Sequence, residues 1–245
     1  MTAFLTEIRQ TFLWSRDSAD GPLPPMLVSM TLVTGLVDAF SYLVLGHVFV
    51  ANMTGNVVLL GFALVGAPGF SIGSSVVAAA AFVLGSTGGG RIGSRFGARR
   101  GHLLASATAV QVIFLAAGMI LAVVSTAPLA GGYRYGLIVA LAIGMGIQNA
   151  TARKLAVPDL TTTVLTLTIT GIAADSVLGG GKGSKAGRRL VAVGTMLAGA
   201  VVGASFIVHG HDLYPLVIAV VVTLGVATTA GVLASSNPPW ESSKH

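Results

Sequence analysis

The chain carries little charge. Only 9% of its 245 residues are Asp, Glu, Lys or Arg, whereas 53% are hydrophobic and the mean hydropathy is +0.86. A soluble protein of this length needs more polar surface than so few charges can supply. The composition therefore excludes a soluble globular domain and predicts an all-α polytopic membrane protein.

Cysteine is absent, which excludes disulfides, thiolate metal ligands and cysteine nucleophiles. The sequence also lacks a Walker loop, an H-E-x-x-H or G-x-S-x-G motif and paired catalytic carboxylates. Gly88, Gly90 and Gly93 formally match a dinucleotide-binding motif, but they end an apolar stretch and follow no strand. We therefore expect no enzymatic activity, no cofactor and no bound metal.

Hydropathy divides the chain into eight apolar stretches, at positions 26–46, 52–66, 72–90, 103–124, 135–155, 160–178, 189–208 and 215–235. A transmembrane helix needs roughly 20 residues. The second stretch is shorter than that, and threonines interrupt the sixth. Six full transmembrane helices and two broken or half helices are the result.

Basic residues predict the topology. One cluster (Arg91, Arg95, Arg99, Arg100) follows the third stretch, and another (Lys182, Lys185, Arg188, Arg189) follows the sixth. The positive-inside rule assigns both to the cytoplasm, so an even number of crossings separates them. The sixth stretch then does not cross, nor does the second by analogy.

Both termini are cytoplasmic in this arrangement, and of the 14 Lys and Arg residues only Arg134 falls outside. This asymmetry explains the net charge of +6 without a nucleic-acid partner. It predicts one membrane domain over 1–245, with a cytoplasmic segment at 1–25, halves at 26–125 and 135–235, and a cytoplasmic tail at 236–245.

The two halves share sequence phrases. VANMTGNVV at 50–58 corresponds to VPDLTTTVL at 157–165, and GLVDA at 35–39 corresponds to GIQNA at 146–150. Because the first span runs outward and its counterpart runs inward, the halves form an inverted-topology repeat. Interrupted segments at matching positions of two such halves indicate the binding site of a transporter.

Each polar phrase predicts a break followed by a half-helix. Positions 46–51 can return extended toward the membrane centre, and Asn52 then caps a short helix. In the second half, Pro158 lacks a backbone donor and Asp159 caps a helix that starts at Leu160. The N-termini of the two half-helices would face each other near the midplane.

These half-helix ends define the candidate substrate site. Backbone N–H groups at a helix N-terminus favour anions or strongly polar groups, whereas the carboxylate of Asp159 favours a cation or a proton. The charge of the substrate therefore stays open. The candidate substrate-binding residues are Asn52, Thr54, Asn56, Asp159, Thr161, Thr162 and Thr163.

Three further polar residues lie inside the predicted spans. Asp38 is an intramembrane acid and a candidate for proton coupling, with a structural hydrogen bond to the break as the alternative. Gln148 and Asn149 are supporting polar residues, since amides often join membrane helices.

Glycines recur at four-residue spacing at Gly85, Gly89, Gly93 and Gly97, and again at Gly199 and Gly203. Such faces permit close helix packing. They predict contacts within one chain or between protomers, so a homodimer through these faces is possible.

GLVDA at 35–39, VANMTGN at 50–56, GIQNA at 146–150 and VPDLTTTVLT at 157–166 resemble the signature phrases of the YoaK-like bacterial membrane proteins, a domain family of unknown function. The resemblance extends over about 26–235. It implies a multi-pass protein of the bacterial inner membrane with no established substrate or catalytic residues.

We interpret the chain as a secondary transporter or exporter of a small polar solute or ion, surrounded by the lipid bilayer. A channel would use the same architecture and is the first alternative. A non-transporting assembly or sensor subunit is the second, although the sequence offers no soluble interaction domain for it.

Overall fold

The computed structural model describes residues 2–14, 18–125, 131–158, 160, 165–175, 180, 186–236 and 239–242. The described chain is helical and contains no strand. Its helices are α1 (Thr2–Phe12), α2 (Leu23–Val44), α3 (Met53–Leu64), α4 (Ile72–Phe96), α5 (Arg100–Val124), α6 (Gly132–Leu155), α7 (Leu165–Ala174), α8 (Ala186–Val208) and α9 (Tyr214–Ala234). A 3-10 turn follows at Pro239–Glu241.

Six of these helices, α2, α4, α5, α6, α8 and α9, are long and apolar enough to cross a membrane. Helix α3 has 12 residues and α7 has 10, so at 1.5 Å per residue they measure only about 18 Å and about 15 Å. Neither reaches across roughly 30 Å of hydrocarbon. The prediction of an all-α polytopic protein with six full spans and two short elements is confirmed.

The spans differ in how deeply they are buried. In the most apolar 18-residue window, 67% of the residues of α2 and of α6 are buried, against 17–33% for the other four. Helices α2 and α6 therefore form the centre of the bundle, and the others surround them. The intramembrane polar residues Asp38 and Gln148 lie on these two central helices.

One end of the bundle collects the basic residues. The Arg100 guanidinium lies 3.0 Å from the Asp20 carboxylate and donates to the Leu155 carbonyl at 3.1 Å, while Arg188 lies 3.9 Å from Asp20. The starts of α5 and α8 therefore lie at the same end of the bundle as the end of α6. The charge pattern predicted that the two basic clusters share one side. Arg134 lies beside Gly46 at the opposite end.

Residues 239–242 belong to the same end as Arg100. Trp240 is 4% exposed and contacts Gly21, and the Glu241 carboxylate accepts from the backbone N–H groups of Gly101 at 2.7 Å and His102 at 3.1 Å. Glu241 also binds the imidazole of His102. A carboxylate at the first turn of α5 satisfies donors that the helix itself leaves unpaired. The sequence predicted a cytoplasmic tail here and assigned it no such contacts.

Glycines place the helix backbones in direct contact. A Cβ on Gly35 would lie 2.7 Å from the Ala200 nitrogen of α8, and one on Gly146 would lie 2.8 Å from the Ser86 nitrogen of α4. Gly199 on α8 lies opposite Gly35, and Gly85 on α4 lies opposite Gly146. Both belong to the glycine faces that the sequence predicted. These faces are covered by helices of the same chain. A homodimer stays a prediction.

The glycine crossings yield a stability prediction. Gly85→Ala and Gly199→Ala should each lower the stability of the folded protein by about 1–3 kcal/mol, because the added methyl meets backbone atoms that cannot move aside. Gly88→Ala on α4 and Gly194→Ala on α8 are matched controls, since nothing lies within 4 Å of a Cβ at either position. The midpoint of heat-induced aggregation of the detergent-solubilised protein measures the effect, and equal midpoints for all four variants would contradict it.

The topology yields a labelling prediction. The chain lacks cysteine, so His47→Cys and Arg153→Cys, both at exposed positions, can be labelled without background. A membrane-impermeant maleimide should modify them from opposite sides of the membrane, since they lie at opposite ends of the bundle. Modification of both from the same side would rule out six crossings in this order.

Candidate functional site

A break in the helical backbone at positions 46–52, between α2 and α3, contains the first polar phrase. It is held by Asp38, which lies six residues before the last residue of α2, about 9 Å along the helix axis. One carboxylate oxygen of Asp38 accepts from the N–H groups of Val50 at 3.2 Å and Ala51 at 2.9 Å. The chain after α2 therefore turns back alongside that helix, as the sequence predicted.

The second carboxylate oxygen of Asp38 accepts from the side-chain amide of Asn52. Three N–H donors thus converge on a side chain that is only 5% exposed. Backbone N–H groups inside a membrane protein need an acceptor, and a carboxylate, with two oxygens, can take several donors at once. Asp38 supplies the hydrogen bonds that a helix would otherwise provide.

The predicted capping role of Asn52 is wrong. Asn52 does occupy the position before α3, but its side chain makes no capping hydrogen bond. Its backbone carbonyl accepts from Gly55 and Asn56, whereas its amide turns to Asp38. With its amide nitrogen directed at Asp38, the side chain gives the first N–H groups of α3 no cap.

Asn56 holds the other side of the break. Its side-chain oxygen accepts from the Phe49 N–H at 2.9 Å, and its amide donates to the Phe49 carbonyl. Asn56 is 2% exposed. Thr54, the remaining candidate of this phrase, lies on the exposed face of α3, so only Asn52 and Asn56 point toward the break.

Apolar side chains surround the break. Val48 and Val50 are fully buried and Ala51 is 2% exposed, and all three belong to the hydrophobic core that contains Phe40 and Leu45. Non-helical backbone is tolerated at membrane depth where protein covers it. The middle of the break, at Val48, Val50 and Ala51, is therefore inside the protein.

The carboxylate of Asp38 has no cationic partner within the described part of the chain: the ion pairs there involve Asp20, Asp175 and Glu241. In that part of the chain, its hydrogen-bond partners are the N–H donors of Val50, Ala51 and Asn52. An intramembrane acid that depends on hydrogen bonds alone can exchange them for a proton, a cation or a polar ligand.

The second half is described in part. Helix α6 ends at Leu155, and Ala156 after it has a left-handed φ of 48°, just as His47 has a φ of 55° after α2. Leu160 is not helical and α7 comprises Leu165–Ala174, so the helix predicted to start at Leu160 starts later. Asp159, Thr161, Thr162 and Thr163 lie outside the described residues. Asn149, at the position equivalent to Asp38, donates to the Met145 carbonyl at 2.9 Å.

Gln148 joins three helices. It is 4% exposed, donates to the Met30 carbonyl at 3.0 Å and to the Thr34 hydroxyl at 2.8 Å on α2, and accepts from Gln111 on α5 at 2.7 Å. Sequence analysis missed Gln111, although an amide in the middle of an otherwise apolar stretch was a usable signal. Thr34 lies one helical turn before Asp38, on the same face of α2.

Within the described residues, no group of three His, Cys, Asp or Glu side chains lies close enough to hold a metal ion. The break itself offers one carboxylate, two side-chain amides and the backbone N–H groups of Val50 and Ala51. Such a set can bind small polar groups and move a proton.

Six helices long and apolar enough to cross a membrane, with a carboxylate-anchored break after the first of them, define a multi-pass membrane protein. The chain belongs to the family described as "Protein of unknown function (DUF1275)", which matches residues 26–229. It is 33% identical over 152 residues to the UPF0700 transmembrane protein YoaK of Bacillus subtilis (strain 168), covering 61% of this chain and 65% of that protein, or just under two thirds of its length. No solved structure matches. The resemblance stated from the sequence phrases is confirmed.

The break yields a prediction for Asp38→Asn. An amide oxygen can replace one carboxylate oxygen, but the amide nitrogen then faces the donor of Asn52, so at least one buried donor loses its partner. The expected loss is about 1–3 kcal/mol of stability, measured as a lower thermal midpoint in detergent. Asp212→Asn, at an exposed position, is the matched control. Equal midpoints for the two variants would show that the carboxylate does not hold the break.

Proposed function

We propose that this protein is a secondary transporter or exporter of a small polar solute or ion, and that the protonation state of Asp38 is coupled to the conformation of the break. The observation that carries the proposal is the set of three N–H donors on a buried carboxylate without a cationic partner in the described residues. A structural anchor alone does not need an ionisable group at this depth, because an amide or hydroxyl costs less to bury.

The coupling follows from the chemistry of the carboxyl group. When ionised, Asp38 can only accept, and it holds Val50, Ala51 and Asn52. When protonated, it carries a donor of its own and accepts less strongly. The donors of the break are then free to bind a polar substrate, and the break is free to move.

We also propose that the two halves form an inverted repeat, which matching helix contacts support. A Cβ on Gly199 would meet the Leu32 carbonyl of α2, and a Cβ on Gly85 would meet Ile143 of α6, the residue 111 positions after Leu32. Gly203 and Gly89 repeat this correspondence with Ala39 and Ala150, which are also 111 positions apart. Equivalent residues thus make equivalent contacts in the two halves.

The opposite directions of α2 and α6 also support an inverted repeat. Helix α2 begins at the end of the bundle where α6 terminates, since Asp20 and the Leu155 carbonyl both contact Arg100. Helix α8 of the second half packs on α2, and α4 of the first half packs on α6. In transporters built from inverted repeats, one set of helices moves against the other around a central site.

By the positive-inside rule we propose that the basic end of the bundle, with both termini, lies in the cytoplasm of a bacterial cell and that the protein resides in the inner membrane. The substrate then meets the break from the outer end, where positions 46–52 follow α2. We expect no enzymatic activity and no cofactor.

Transport is tested with the purified protein in liposomes that contain a pH-sensitive dye. Pulses of potassium chloride, sodium chloride, potassium phosphate and glycine betaine serve as cation, anion and zwitterion probes. At least one probe should produce a proton flux that Asp38→Asn reduces by ~10-fold or more, because removal of the titrating group removes the coupling. Asp212→Asn should behave like the native protein.

Two results would contradict the proposal. A flux that does not depend on the pH gradient and is unchanged in Asp38→Asn would indicate a passive channel. No flux and no thermal stabilisation by any probe between roughly pH 5 and pH 8, where folded proteins tend to be most stable, would favour a non-transporting subunit.

A further inference from the structure

A small cavity lies between α2, α5 and α6, away from the break. Four polar side chains line it, those of Thr108, Gln111, Gln148 and Thr151, together with apolar residues that include Leu104 and Met30. It offers about 10 Å³ to the centre of a water-sized sphere. That is close to the space that one water molecule needs.

The orientation of Gln148 is determined by its neighbours. The Thr34 hydroxyl donates its hydrogen to the Met30 carbonyl at 3.1 Å. The Thr34 hydroxyl and the Met30 carbonyl can therefore only accept a hydrogen bond from Gln148. The Gln148 amide nitrogen must therefore face them, at 2.8 Å and 3.0 Å. Its side-chain oxygen is then turned toward α5.

The orientation of Gln111 follows from that of Gln148. Its amide nitrogen donates to the Gln148 oxygen at 2.7 Å and lies 3.8 Å from the Met145 sulfur. The Gln111 side-chain oxygen is left without a partner among the described residues, although the residue is fully buried. A buried amide oxygen needs a donor, and exchanging its oxygen and nitrogen would only oppose two oxygens.

The two threonine hydroxyls at the cavity also donate their hydrogens elsewhere. The Thr108 hydroxyl donates to the Leu104 carbonyl at 2.7 Å, and the Thr151 hydroxyl donates to the Ile147 carbonyl at 2.8 Å. Each hydroxyl oxygen keeps a lone pair. The polar groups of the cavity therefore offer acceptors, and the unsatisfied one is the Gln111 oxygen.

We infer that this cavity is a binding site for a single water-sized hydrogen-bond donor, either a water molecule or an ammonium ion, held by the side-chain oxygen of Gln111. The acceptor-only lining rejects anions, and the volume rejects larger solutes. Binding here is an equilibrium property of the folded protein and does not rest on the proposed transport activity, so the two can fail separately.

The test compares thermal midpoints of the detergent-solubilised protein in ammonium, potassium and tetramethylammonium chloride at equal ionic strength. It also requires an experimental structure that resolves ordered water. The variants are Gln111→Leu and Thr151→Val. Thr223→Val is the matched control, because Thr223 is equally buried and bonds its own helix at 2.7 Å but does not line the cavity.

If the occupant is ammonium, the thermal midpoint in saturating ammonium chloride should be roughly 5 °C higher than in tetramethylammonium chloride. A shift of this size is expected for a ligand far above its dissociation constant. Thr223→Val should keep this rise, and Gln111→Leu should lose it. Should Gln111→Leu fail to fold, Thr151→Val provides the same comparison with a weakened rise.

If the occupant is water, the midpoints should not depend on the salt, and the structure should contain density within hydrogen-bond distance of the Gln111 oxygen. The inference is overturned if the salts are equivalent and the cavity has no density. It is also overturned if Gln111→Leu responds to ammonium as the native protein does.

Discussion

The hydrogen bonds between Asp38 and the backbone of the break are the interaction on which the arrangement of the first half depends. A chain that leaves a helix inside a membrane protein exposes N–H groups that neither lipid nor apolar side chains can satisfy. Asp38 meets this requirement with one side chain, taking Val50 and Ala51 on one oxygen and Asn52 on the other. With those donors satisfied, Val48 and Val50 can be fully buried, and α3 can start as a short helix beside α4. The same carboxylate is the group that a proton or a polar ligand would compete for, so the anchor of the break and the candidate switch are one residue.

Close helix crossings make this anchoring possible. Helices α2 and α6 carry Asp38 and Gln148, and burying these side chains requires neighbours that approach to backbone contact. Gly199 and Gly85 provide that approach on α8 and α4. Without a side chain at these positions, dispersion contacts form along the helix backbones, which is the main source of helix association where lipid removes the hydrophobic driving force. The glycines therefore allow the helices to pack closely enough to bury the intramembrane polar groups.

The two ends of the bundle differ in chemistry. At the basic end, Arg100 joins Asp20 to the end of α6, and Glu241 caps α5 from the opposite terminus of the chain. At the other end, aromatic rings surround the turn after α2: Tyr42 stacks on Phe49 at 5.0 Å and contacts His47 edge-on at 5.1 Å. The basic end is tied together by ion pairs and caps, whereas the turn into the break is held by rings and by the His47 hydrogen bond to the Gly69 carbonyl at 3.0 Å.

The sequence by itself determined the class of protein, the six spans, the two short elements and the common end of the basic clusters, because hydropathy, helix length and charge are properties of neighbouring residues. It also located the break after α2, since Gly46 and the polar phrase interrupt an apolar run. Only the tertiary structure decided which polar groups meet. Asn52 reads as a cap in sequence, yet it turns to a carboxylate 14 residues away. Gln111 and Gln148 are 37 residues apart, and Glu241 caps Gly101 over 140 residues. Such pairings depend on how separate helices lie against each other, and no local pattern of residues encodes that.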